Sequence, residues 1–285
     1  MAASRYRFLL INAFSLPGEA NYGMRPNGGP KEGRLMNHAS VAHLLADVDW
    51  DLHDGALATH GNHPVETREE FAIVGVNRLK IVREACASGK YNAIVLLGGG
   101  DPGFEEAREI GRRSRIPVTS CAHAQMHLAR LLANRFTVMD ISEAHNMHMA
   151  MLVRHYGFAP NCASIRNLNY PLPRPVLPND RPMAEEKARS DRGERSEMVE
   201  AAVAAAVDAI ENDGAESFII GCSAAYWLAP VLQARLDALG WEAPVLEGYR
   251  CAIEQAKTLV NLGLDVSGLA MPSDNPRAWR AKKYV

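Results

Sequence analysis

Short apolar runs, rich in Leu and β-branched residues, recur along the chain, and each gives way to a longer stretch whose apolar positions repeat at helical spacing. This alternation predicts βαβ units around mainly parallel sheets, and so an α/β fold. The runs predict strands over residues 7–11, 48–52, 93–97, 117–120, 136–139, 163–168, 217–220 and 244–246. The helical stretches cover residues 70–88, 103–114, 123–132, 142–156, 183–212, 225–239 and 249–262. The segment from Tyr170 to Pro182 carries five prolines, which exclude regular helix or central strand and predict a connector. The charged run from Glu185 to Glu197 reads as a solvated helix face.

An internal echo organises these elements. Asn92-Ala-Ile-Val-Leu-Leu-Gly-Gly-Gly-Asp-Pro-Gly103, a helix and Arg115-Ile-Pro-Val118 match Glu216-Ser-Phe-Ile-Ile-Gly-Cys-Ser223, a helix and Glu242-Ala-Pro-Val-Leu246. Both read as buried strand, glycine-bearing turn, helix and short strand. Right-handed crossovers put such turns at the carboxyl ends of their strands, where open α/β sheets bind ligands. Two halves facing each other would set the turn after Leu97 against the turn after Ile220.

Composition and charge narrow the partners. With 31 Lys and Arg against 33 Asp and Glu, the net charge of -2 gives no basic excess to hold a nucleic-acid backbone. No apolar run approaches the roughly 18 residues that span a bilayer, and the first residues lack a signal-like hydrophobic region, so a cytoplasmic protein without membrane contact is expected. The five cysteines are scattered and form no C-x-x-C pair, which argues against a disulfide framework or zinc ribbon.

Cys222 follows a strand and a glycine and precedes an expected helix N-terminus, where amide groups and the helix dipole favour a thiolate. The same residue also fits a small buried hydrophobe. The Gly98-Gly99-Gly100-Asp101-Pro102-Gly103 loop matches neither a P-loop nor a dinucleotide fingerprint, but its amides can approach a carboxylate or a developing oxyanion. His123, His127, His145 and His148 cluster in sequence without a metal-binding spacing, so they read as surface or core histidines and no metal is expected. Ser223 lies outside any G-x-S-x-G elbow.

Tyr91 to Arg108, Ile116-Pro-Val118, Gly221-Cys222 and Pro244-Val-Leu-Glu-Gly248 with its following helix together resemble the aspartate/glutamate/hydantoin racemase superfamily. The resemblance implies two pseudo-symmetric Rossmann-like halves with the active site between them: residues 1–120 plus 249–285, and residues 121–248 carrying Cys222. It implies a cofactor-independent enzyme acting on a small carboxylate or cyclic amide, in which a cysteine from each half exchanges a proton at an acidic carbon through an enolate. Cys222 matches the second cysteine, but Gly98 stands where the first would be. A lone second-half cysteine facing glycine resembles the arylmalonate decarboxylases, whereas Asp-Pro-Gly resembles the hydantoin racemase branch. The alternatives are therefore a single-cysteine decarboxylase or lyase, or a non-catalytic small-molecule binder. Cys121 is a candidate second thiol, and His123, where relatives carry glutamate, a candidate acid or base. Asn12, Gly98, Gly99, Gly100, Ser120, Ser223 and Ala224 complete the expected substrate-binding set. The long 17–33 loop reads as a lid, with Arg25, Lys31 and Arg34 as candidate carboxylate contacts. A homo-oligomer is the usual expectation for a soluble enzyme.

Overall fold

All eight expected strands form in the computed structural model, which describes residues 4–16, 28–58, 63–174, 180–272 and 276–282. They are β1 (Tyr6–Ile11), β2 (Val48–His53), β3 (Ala93–Leu96), β4 (Val118–Ser120), β5 (Phe136–Asp140), β6 (Cys162–Asn167), β7 (Ser217–Ile220) and β8 (Val245–Leu246). They build two four-stranded sheets, ordered β2-β1-β3-β4 and β6-β5-β7-β8, and every pairing is parallel. Each sheet has its second strand at one edge and its fourth at the other. The echo between residues 92–118 and 216–246 is thus the third and fourth strands of two equivalent sheets. β3 and β7 are buried along their whole length, which explains their unbroken apolar sequences.

The helices are α1 (Lys31–Arg34), α2 (His38–Leu45), α3 (Arg68–Ser88), α4 (Phe104–Arg113), α5 (Cys121–Leu132), α6 (Glu143–His155), α7 (Met183–Asp191), α8 (Glu197–Asp208), α9 (Leu228–Ala238) and α10 (Gly248–Leu262). The seven expected stretches all hold helix, with three departures. First, α1 falls at the end of the expected 17–33 loop and α2 lies in a stretch for which no element was expected; α2 is two turns long and is held by burying Val41 and Leu45, one turn apart. Secondly, the expected 183–212 helix breaks. Gly193 takes a φ of +72°, and Ser196 caps α8 by accepting the Val199 N–H at 3.3 Å. The Glu186 carboxylate ties this corner, accepting from Ser196 Oγ at 2.7 Å and the Met198 amide at 3.1 Å. Glu186 is therefore buried rather than part of a solvated face. Thirdly, α9 begins only at Leu228, after a short 3-10 turn at Ser223–Ala225.

One apolar cluster runs from Phe8 and Leu10 of β1 through Cys121 and Tyr249 to Phe218 and Ile220 of β7, so both sheets share a core. The last helix returns to the first sheet, where α10 packs on β3, β4, α5 and α2. Among the described residues no helix is long and apolar enough to cross a membrane.

Candidate active site

In the first sheet, the register sets Ile11 beside Leu96 and Leu96 beside Ser120, so three strands end at one level. A fully buried arginine holds that edge. Arg78 of α3 donates from Nη2 to the carbonyls of Ile11 and Leu97, both at 2.9 Å, and from Nη1 to Pro102 at 3.2 Å. Burial lowers its pKa to about 10, against nearby groups that include Asp101. Asp101, also buried, accepts from the amides of Ala122 and His123 at 2.9 and 2.8 Å, and so fastens the start of α5 to the glycine turn.

The turn itself needs glycine on steric grounds. Gly98 has a φ of +113°, and a Cβ there would stand 2.6 Å from the Ala13 Cβ. At Gly99 a Cβ would stand 1.6 Å from the Gly221 carbonyl oxygen. The first glycine turn therefore lies directly against the end of β7, backbone on backbone.

From that end the chain continues through Gly221 to Cys222. Behind Gly221 lies Asp140, whose Oδ2 is 2.8 Å from Nδ1 of His145 and whose Oδ1 accepts the Ile141 amide at 2.8 Å. Asp140 and His145 are 0 and 2% exposed. Burial alone would lower the pKa of His145, but the charge and hydrogen bond of Asp140, with Glu66 further off, raise it.

Gly98, Gly99, Gly100, Cys222, Ser223 and Ala224 meet around one cavity, together with Ala13, Phe71, His145 and Leu172. Its free volume is about 20 Å³, room for one water molecule. Among the described residues lining it, Cys222 and His145 are the two with titratable side chains. The expected thiolate at Cys222 is not favoured here. Burial, then the negative charge of Asp140, push its thiol well up, and the amides of Ala224 and Ala225 offset only part of this. The physical reason is local: Cys222 precedes a three-residue 3-10 turn rather than a full helix, so desolvation outweighs the helix dipole.

The other expected residues lie around this cavity rather than in it. Asn12 is buried one residue before Ala13, with Nδ2 donating to the Arg34 carbonyl at 3.4 Å. Ser120 donates to Asp101 Oδ1 at 2.6 Å. Cys121 is fully buried with Sγ 3.5 Å from the Leu96 carbonyl, and burial with the charges of Asp101 and Glu247 keeps its thiol protonated. His123 lines a separate cavity with Arg108 and Gln255. Its ring packs on Phe104 and Tyr156, and burial beside His127 and Arg108 lowers its pKa to about 3. Lys31 is held on the Trp50 ring and carbonyl, and Arg34 pairs with Asp54. Arg25 and most of the 17–33 loop lie outside the described residues.

Two histidines that read from sequence only as surface or core residues lie at the site. His145 belongs to a motif, Asp140-Ile-Ser-Glu-Ala-His145, that spans a strand end and the first turn of the next helix. An acid at a strand terminus followed by histidine in the next helical turn was its available signal. His148 donates from Nε2 to the Gly100 carbonyl at 2.7 Å and stacks on Phe71 at 4.0 Å, supporting the glycine turn from α6. Among the described residues no cluster of three or more His, Cys, Asp or Glu could hold a metal ion.

Comparison with known proteins places this geometry in context. The sequence profile of the family described as Asp/Glu/Hydantoin racemase matches residues 23–256. A hydantoin racemase of Paenarthrobacter aurescens is 28% identical over 209 residues, covering 73% of this chain and 78% of that protein. Another from Rhizobium meliloti is 27% identical over 247 residues, covering 82% and 90%. An allantoin racemase from Pseudomonas fluorescens superimposes with a TM-score of 0.66 at 20% identity, over 98% of this chain and 99% of that one, which speaks to fold alone. An unliganded arylmalonate decarboxylase shares the fold more loosely, with a TM-score of 0.54 at 14% identity over 90% and 92% of the two chains.

Proposed function

The chain belongs to the Asp/Glu/hydantoin racemase family, and from that premise we propose that it moves a proton at the acidic carbon of a small cyclic amide of the hydantoin type, or of a related carboxylate. The observation that carries this reading is the meeting of Cys222 with the Gly98–Gly100 turn across the junction of the two sheets. Residues 1–120 with 249–285 form one half in this reading, and residues 121–248 the other.

The mechanism follows from the groups at hand. Removing the proton beside a carbonyl leaves an enolate whose charge sits on oxygen. Holding that oxygen falls in this reading to the backbone amides of the glycine turn and of Ser223 and Ala224, residues that border the cavity. Cys222 rests as a neutral thiol, the form that delivers a proton to carbon; that transfer leaves the thiolate, which takes up a proton to restore the thiol. Because the cavity has a free volume of only about 20 Å³, admitting substrate requires the facing segments to part. The reaction draws on the thiol, imidazole and amides of the chain itself.

A second reading is favoured by one observation, the absence of a side chain at Gly98. A lone thiol protonating one face suits a decarboxylase or lyase. Proton NMR in D2O with hydantoins, amino acids, 2-hydroxy acids and substituted malonates separates the two. Exchange of the α-proton with loss of optical activity supports the racemase, and release of carbon dioxide with one enantiomer retained supports the lyase. If none of these substrates gains deuterium, the proton-transfer reading fails.

A further inference from the structure

We propose that the buried Asp140–His145 pair is the second acid–base group of this site, with His145 working opposite Cys222 in place of a cysteine at position 98. The inference rests on the proton-transfer reading above and deepens it.

Four observations carry it. Cys222 and His145 are the titratable side chains among the described residues lining the cavity. Asp140 lies against the Gly221 Cα, so the carboxylate, imidazole and thiol converge within two residues of the β7 terminus. The 2.8 Å contact to Oδ2 puts the imidazole proton on Nδ1 and leaves Nε2 as the nitrogen able to take a proton, the arrangement by which a carboxylate orients a catalytic histidine. Finally, α6 does not need the ring: its N-terminus is capped by Ser142, which accepts the His145 amide at 3.3 Å. The groups around the imidazole are Asp140 and Glu66, His148 one turn along α6, the Phe71 ring edge at 5.5 Å, and Cys222, which lines the same cavity.

The proton balance closes without any co-reactant. Nε2 of neutral His145 bonds to the proton as the C–H bond breaks, and that electron pair moves onto the carbonyl as enolate. The Cys222 S–H bond then breaks, its proton goes to carbon and its electron pair stays on sulfur. The resulting imidazolium and thiolate are the form that takes the opposite enantiomer: the Cys222 thiolate removes its C–H proton and the His145 imidazolium returns one to carbon from Nε2. Proton exchange through solvent water interconverts this form with the neutral pair.

The test uses each enantiomer of 5-methylhydantoin and 5-benzylhydantoin in D2O, following loss of the C5 proton for wild type, His145→Gln, Asp140→Asn and Cys222→Ala. The expected pattern is enantiomer-specific. His145→Gln loses exchange of one enantiomer by about 100-fold or more, the usual worth of a positioned acid–base group, and keeps the other within a few fold. Cys222→Ala shows the mirror-image selectivity, and Asp140→Asn slows the same enantiomer as His145→Gln. If His145→Gln does not fold by circular dichroism, Asp140→Asn carries the same comparison. Exchange that survives for both enantiomers in the folded dyad variants, or falls equally for both, overturns the assignment while leaving the role of Cys222 standing. Wild type that exchanges neither these hydantoins nor any of the amino acids, 2-hydroxy acids and malonates above overturns the parent reading, and this inference with it.

Discussion

Gly99 and Gly221 touch backbone to backbone: a Cβ on Gly99 would stand 1.6 Å from the Gly221 carbonyl oxygen and 3.0 Å from the Cys222 Cα. Their strands, β3 and β7, belong to different sheets, so this contact is where the ends of the two sheets meet. Gly99→Ala is therefore expected to force the junction apart, costing about 1–3 kcal/mol in urea unfolding and most of the catalytic rate. Gly28→Ala, where a Cβ meets nothing within 4 Å among the described residues, is the control for stability and should leave the unfolding free energy unchanged. Equal behaviour of the two variants would show that the junction yields freely.

Position 98 resists a side chain for a different reason. Its φ of +113° is disfavoured for any L-residue, and Ala13 occupies the space a Cβ would take. Gly98→Cys is expected to lose about 1–3 kcal/mol rather than gain a working second thiol. Adding Ala13→Gly should return only the part due to the clash. A Gly98→Cys protein with wild-type stability and faster racemisation would refute this account.

The buried Cys222 thiol should be slow to alkylate. Because burial and Asp140 push its pKa well up, iodoacetamide labelling at neutral pH is expected to lag behind that of an unstructured thiol, and to accelerate only in alkaline solution. Mass spectrometry of labelled peptides reads this directly. Rapid, selective labelling of Cys222 at pH 7 would instead mean that the free enzyme spends much of its time with the junction open.

Glu70 gives the fold a defined acid limit. Burial alone would raise its carboxyl, but two bonds from Arg174, with the amides of Thr67 and Glu66, hold it down at about 2. A carboxyl whose pKa is lowered on folding contributes stability that is complete above its ordinary value of 4.5 and is lost as pH falls toward 2. Arg174→Met should lower stability at pH 7 by about 2 kcal/mol and flatten its dependence between pH 4.5 and 2. Chemical unfolding at a series of pH values checks both, and an unchanged acid limb would remove Arg174 from the explanation.

Local chemistry carried much of the fold into the sequence. The buried β3 and β7 read as unbroken apolar runs, the glycines after β3 announce a turn that brings backbones together, and Gly221-Cys222 repeats that turn in the second sheet. These features depend on residues close in the chain, where periodicity and backbone freedom act. The break at Gly193 was less legible because the residues around it favour helix, and the reversal is held by Glu186 reaching Ser196 and Met198, a contact made only after the turn exists.

The membership of the site lay further out of reach. Cys121, His123 and Cys222 all follow strands, and nothing local separates them, yet packing sends Cys121 under the glycine turn, His123 toward Phe104, and Cys222 alone into the cavity. His145 reached the same cavity through Asp140, five residues away and on another element. The sequence by itself determined the two repeated sheets, the glycine turn and the thiol at its partner strand, because strand burial and glycine geometry are properties of short segments. Only the tertiary structure decided which titratable groups share one desolvated space, since that depends on how two separate sheets are set against each other.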